Sequence, residues 1–113
     1  MSSLRAPVAI SVEVRVPGDP DRRTFRLAAN VGEDGLRLER PAPFEIGRPV
    51  EVRFVLPDDG AVLSLRAEIA LCDADRDGEQ GGSELTFIEA GRDVRHTIHR
   101  YVAARLGLPP PPG

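Results

Sequence analysis

Strict alternation of apolar and polar residues recurs in six separate stretches of this chain, and it confines most of the fold to sheet. In residues 8–16, Val8, Ile10, Val12, Val14 and Val16 fall on one side of an extended backbone, and Ser11, Glu13 and Arg15 on the other. Successive side chains of a strand point to opposite faces, so a period of two buries one face and wets the other. The β-branched residues at the apolar positions suit a pleated, half-buried surface. In residues 22–29, Arg23, Phe25 and Leu27 share one face, and Arg22, Thr24 and Arg26 form the charged, solvated face opposite. A short strand is predicted over 36–40 and another over 50–56, with Val50, Val52, Phe54 and Leu56 inward. A fifth alternates through Leu63, Leu65, Ala67, Ile69 and Leu71, and a sixth covers 84–88.

Turn chemistry separates these stretches. Residues 17–21, Pro-Gly-Asp-Pro-Asp, break the first strand, and 30–35, Asn-Val-Gly-Glu-Asp-Gly, read as a turn in which Asn30 and Gly35 tolerate left-handed backbone. Residues 41–49 form a loop with three prolines and a glycine. Pro57-Asp58-Asp59-Gly60 is a hairpin turn, and 73–82 is a polar one.

Near the C-terminus the period changes. Val94, Ile98, Tyr101, Val102 and Leu106 recur at helical spacing, which predicts an amphipathic helix over 93–106. Asp93 is its expected N-cap and Gly107 its stop, and the four prolines at 109–112 cannot continue it. The expected fold is all-β with one C-terminal helix: a six-stranded antiparallel β-barrel, which removes exposed sheet edges, with the helix laid over one open end. The expected organisation is a lead-in at 1–6, barrel and helix at 7–107, and a Pro-rich tail at 108–113. A length of 113 residues leaves no room for a second core.

Charge narrows the function. The 15 basic residues are all arginine, yet 18 acidic residues outnumber them, so a major nucleic-acid partner is not expected. No apolar run approaches the ~20 residues that span a bilayer, and no signal core opens the chain, which predicts a cytoplasmic protein without membrane insertion. Cys72 is the only cysteine, so no intrachain disulfide forms. Asp73 and Asp75 beside it make its thiol less reactive.

Several constellations invite a chemical reading. Asp73, Asp75, Asp77, Gly78 and Glu84 match the calcium-loop pattern of alternating carboxylates, a glycine and a closing glutamate. Its flanks alternate at period two instead of forming helices, Gln80 stands where such loops place an apolar residue, and Arg76 adds positive charge. An acidic hairpin turn is the plainer account. His96 and His99 share a helix face, but Arg95 and Arg100 flank them and disfavour a cation. Ser64 and Ser83 have no evident histidine–carboxylate setting, and no glycine-rich loop opens a helix, so no enzymatic activity or cofactor is expected.

The segment Asn30-Val31-Gly32-Glu33-Asp34-Gly35, followed by the strand Leu36-Arg37-Leu38-Glu39, resembles the second signature of the PilZ domain family: Asp or Asn, any residue, Ser, two residues, Gly, then a strand. Leu56-Pro57-Asp58-Asp59-Gly60 is similar to that family's strand-four turn, and Glu84-Leu85-Thr86-Phe87-Ile88 with the helix after it to its last strand and closing helix. The resemblance covers nearly the whole chain from Arg5. It implies a bacterial regulatory module that binds cyclic di-GMP, with possible site residues Arg5, Arg22, Arg26, Asn30, Gly32 and Gly35. The family's first signature pairs two arginines four residues apart, which grip phosphates and stack on guanine. Arg5 resembles the second of that pair, and Met1 stands where the first would be. Gly32 replaces the signature serine. The resemblance therefore implies a degenerate member that regulates motility, polarity or exopolysaccharide control through a protein partner, with cyclic di-GMP binding weak or lost. The alternatives are a genuine cyclic di-GMP receptor and, further off, a calcium-binding β-domain.

Overall fold

The structure is a computed structural model that describes residues 4–57, 60–72 and 81–108. Six strands precede one helix: β1 (Arg5–Val16), β2 (Asp19–Gly32), β3 (Gly35–Leu38), β4 (Pro49–Val55), β5 (Val62–Cys72), β6 (Ser83–Ile88) and α1 (Arg92–Arg105). The strands close into a barrel in the order β1-β2-β3-β6-β5-β4, and every pairing is antiparallel. Closure is made by β1 against β4, where Glu13, Val14 and Arg15 lie opposite Arg53, Val52 and Glu51. The interior holds Val12, Val14, Val50, Val52, Phe54, Leu36, Leu38, Ile69 and Leu85, all fully or almost fully buried. Phe54 and Phe87 stack at 6.4 Å between ring centroids, a favourable aromatic separation.

The inner face of β2 is the reverse of the sequence expectation. Val12 and Val14 lie opposite Arg26 and Thr24, and directly opposed residues of a ladder share a face. The buried valines of β1 therefore pull Thr24 and Arg26 inward and turn Phe25 and Leu27 out to solvent. Long-range register, fixed by β1, overrides the local pattern of β2. The charged face expected at Arg22, Thr24 and Arg26 is solvated only at Arg22. Arg26 is half-buried and donates Nε–H to the carbonyl of Pro41 at 3.2 Å.

The segment 30–35 is also less of a turn than expected. Asn30, Val31 and Gly32 continue β2, because Val31 pairs with Ala6 on one side and Leu36 on the other and is wholly buried. Neither Asn30 nor Gly35 has a positive φ. The register skips one residue between Ala28 and Asn30, a β-bulge. A bulge bends its strand and switches the side on which later residues point. Ala28 faces in before it and Val31 after it, which leaves Asn30 outward beside the start of β1. β5 also skips a residue between Ile69 and Leu71, and Leu71, expected inward, is exposed.

The barrel begins at Arg5, so the last two residues of the expected lead-in belong to β1. The β1–β2 hairpin closes on Pro17 and Gly18 alone, with Gly18 at φ 80°. β3 pairs with β2 only from Ala28 to Val31, so between Asp19 and Arg26 β2 has no second neighbour strand among the described residues.

The helix starts one residue earlier than expected, capped by Gly91 with no side-chain bond, and Asp93 lies in its first turn. Ile98, Tyr101, Val102 and Ala103 are its buried residues, and they pack on β1 and β2, while Leu106 is partly exposed. Gly107 ends it as expected, at φ 71°. Its N–H bonds Ala104 O at 3.2 Å and the Leu108 N–H bonds Ala103 O at 2.8 Å, the two bonds of a Schellman cap.

Candidate functional site

Arg5 opens β1 opposite Gly32, the last residue of β2 before the turn into β3. That placement sets its side chain over the junction of β2, β3 and β6. Nε donates to Asp34 Oδ1 at 2.9 Å and Nη2 to Asp34 Oδ2 at 3.3 Å. Nη2 also donates to Glu84 Oε1 at 2.6 Å, and Nη1 to Asn30 Oδ1 at 2.7 Å. All three guanidinium nitrogens are therefore engaged, two of them by a bidentate carboxylate, the arrangement that suits the planar fork. On the far side of Glu84, Oε2 lies 3.8 Å from Arg37 Nη1, because Arg37 and Glu84 are directly opposed on β3 and β6. Burial alone lowers the pKa of the Arg5 guanidinium, but its hydrogen bonds to Asp34 and Glu84 and their negative charges outweigh that and raise it above the ordinary arginine value. Arg5, Arg37, Asp34 and Glu84 carry two charges of each sign, so the cluster is neutral and offers little net pull to an incoming anion.

The two glycines of the turn are held by space. A Cβ at Gly32 would strike the Leu4 carbonyl oxygen and come within 2.7 Å of Arg5 Cδ. A serine there requires the start of β1 to move. A Cβ at Gly35 would strike the Leu85 carbonyl oxygen and lie 3.1 Å from the Leu85 carbonyl carbon, so β3 and β6 approach this closely only over glycine.

Of the expected site residues, Arg5, Asn30, Gly32 and Gly35 come together, and Arg22 and Arg26 do not. Gly32 lies six positions beyond Arg26, roughly 20 Å at strand rise, and Arg22 lies further still. Asp34, Glu84 and Arg37 were not foreseen as parts of this cluster. Glu84 was legible only as the closing ligand of a calcium loop. Here both its oxygens face arginines. The other calcium candidates, Asp73, Asp75 and Asp77, lie outside the described residues. Among the described residues no group of three His, Cys, Asp or Glu could hold a metal ion. His96 is exposed, and His99 sets Nδ1 2.9 Å from Glu33 Oε2, joining α1 to the β2–β3 turn. Cys72 Sγ lies 3.3 Å from Ser83 Oγ, which accepts the Ala42 N–H at 2.8 Å and so fastens the 39–48 loop to the barrel. Among the described residues no helix is long and apolar enough to cross a membrane.

Comparison with known proteins agrees with this architecture. The model of the PilZ domain family matches residues 2–104. The inhibitor of motility MotI/DgrA of Bacillus subtilis is similar in fold, with TM-score 0.76 and 15% identity over 94% of this chain and 51% of its own. The chain thus spans about half the length of that protein. The PilZ domain of YcgR from Escherichia coli, solved with c-di-GMP, gives TM-score 0.70 and 10% identity over 95% of this chain and 92% of its own. The PilZ domain of CeSA from a cellulose-synthesizing bacterium gives 0.61 and 21% over 93% and 97%. No curated protein matches by sequence. A six-stranded antiparallel barrel with one C-terminal helix, matched by the family model over residues 2–104, makes this chain a member of the PilZ domain family.

Proposed function

We propose that this chain is a regulatory module of bacterial signalling that acts on motility, polarity or exopolysaccharide control through contacts with a protein partner, with little or no grip on cyclic di-GMP. PilZ domains are regulatory receptor domains, and the reading assigns no catalysis or cofactor to this one and places it in the cytoplasm. The observation that supports it is the state of Arg5. The one arginine that resembles a nucleotide-gripping residue already donates to Asp34, Glu84 and Asn30. A phosphate would have to displace two carboxylates from it, and Met1 stands where the first arginine of the family pair would be. Loss of one charged bidentate contact costs ~1.5–3 kcal/mol, about one to two decades of affinity.

Titration calorimetry with cyclic di-GMP tests this. The expected result is binding weaker than micromolar. Micromolar or tighter binding that is lost in Arg5→Ala or Asn30→Ala rejects it in favour of a true receptor, the second reading. That alternative draws on the bound nucleotide of the YcgR domain and on the juxtaposition of Arg5 with Asn30.

A further inference from the structure

The outer wall of the barrel over β2, β1, β4 and β5 is graded from apolar to basic. Strand register sorts its outward side chains into rows that cross β2, β1, β4 and β5. One row ends in the basic set Arg23, Arg15, Glu51 and Arg66, each opposed to the next. The next runs Phe25, Glu13, Arg53, Ser64. Beyond it lie Leu27 opposite Ser11 on β1–β2 and Val55 opposite Val62 on β4–β5. Phe25, Leu27, Val55 and Val62 are each about half exposed or more, at 57%, 48%, 47% and 55%. A groove of about 560 Å³ lined by Phe25, Val55 and Pro57 meets a second of about 310 Å³ lined by Arg15 and Arg66, and Arg53 belongs to both. Arg15 is neutralised by Glu51 at 2.8 Å, whereas Arg53 and Arg66 have no acidic partner among the described residues.

We propose that this wall is the docking surface for an acidic amphipathic helix of a partner protein. The proposal rests on the functional reading above and adds the surface and the chemistry of the partner. Charge complementarity selects the occupant: the basic row carries three arginines and one glutamate on a chain whose formal net charge is −3. Dimensions fit it as well. Four strands at ~4.8 Å spacing make a row roughly 14 Å long, the length of about ten helical residues. Rows stand about 6.7 Å apart, so a helix lying along them sets leucine-like side chains over Phe25 and Val55 and carboxylates over Arg53 and Arg66. Glu13 and Glu51 interrupt the wall and disfavour a nucleic-acid backbone. A second copy would bring an arginine-rich face to an arginine-rich face.

The test uses the full chain and a fluorescein-labelled helical peptide with leucine at i, i+3, i+4 and i+7 and glutamate on the flanks, read by anisotropy. The peptide is expected to bind, to weaken as salt is added, and to lose at least fivefold in affinity to Phe25→Ser and tenfold to the Arg53→Glu/Arg66→Glu double variant. All three positions face outward, and unchanged melting temperatures confirm intact folding. Arg92→Glu, on the helix, is expected to bind as the wild type does. Absence of binding, equal binding by the variants, or equal binding of the same peptide with lysine for glutamate overturns the proposal. So does tighter binding of a labelled single-stranded oligonucleotide, or a dimer in sedimentation that Phe25→Ser dissolves. Micromolar cyclic di-GMP binding at Arg5 would reject the functional reading and leave this surface standing, whereas failure of the peptide rejects the surface and leaves that reading standing.

Discussion

Restoring the family's serine with Gly32→Ser should destabilise this chain, and the geometry sets the scale. The new Cβ would lie 2.7 Å from Arg5 Cδ, about 0.7 Å inside the 3.4 Å at which ordinary contact begins. The Arg5 side chain could bend away, but the Leu4 carbonyl oxygen, also struck, is backbone. Relief therefore requires the first residues of β1 to lift from Gly32, and lifting them breaks the bonds of Arg5 to Asn30, Asp34 and Glu84. Overpacking of this kind costs ~1–3 kcal/mol. The ion pairs lost with it are partly exposed and screened, so they add only about 1 kcal/mol. The total is ~2–4 kcal/mol, and at about 4 °C per kcal/mol for a domain of this size the melting temperature should fall by roughly 8–16 °C. Urea unfolding of Gly32→Ser, Arg5→Ala and the double variant separates the terms. Both single changes release the same strand end, so the double variant should fall short of their sum by at least about 0.5 kcal/mol. A Gly32→Ser chain as stable as the wild type, or strict additivity, would refute the argument that Arg5 and Gly32 are fitted to each other.

Two further outcomes follow from the barrel and its helix. Phe54→Ala empties the middle of the core beside Phe87 and should cost ~3–5 kcal/mol in urea unfolding, enough to bring a marginal domain close to its threshold. Gly107→Ala forces a Cβ onto a residue at φ 71° and should lower stability by about 1 kcal/mol in thermal melts, without altering the barrel.

The strands, their number and the closing helix could be read from the chain because each rests on local periodicity: Val8 to Val16 and Val94 to Val102 carry their own signals. The faces of β2 could not. Phe25 and Leu27 look like a buried stripe in isolation, and only the pairing of Val12 and Val14 with Arg26 and Thr24 turns them outward. Bulges have the same effect, since one skipped residue near Ala29 or Ala70 reverses every later side chain, and no residue there announces it. Within the site, Arg5, Asn30 and the glycines could be found from their resemblance to a signature. Glu84 could not, because its meeting with Arg5 spans 79 positions and is made by a register that only the closed sheet defines. Even the expected reason for Gly35 was different: room for the Leu85 backbone decides it, whereas turn conformation had been inferred.

The lone flank of β2 between Asp19 and Arg26 has a bearing on how this protein survives at high concentration. An unsatisfied ladder of N–H and C=O groups is a template on which other chains can polymerise. Here the ladder is interrupted by Pro20, which brings no N–H, and by the irregular register between Val16 and Arg15. Arg22, Arg23 and Arg26 follow. Twofold alignments of this flank with its own copy that centre on Arg23 or Thr24 set like charges face to face, Arg23 on Arg23 or Arg22 on Arg26, which opposes assembly in those registers. These arginines thus serve as insulation against fibre growth.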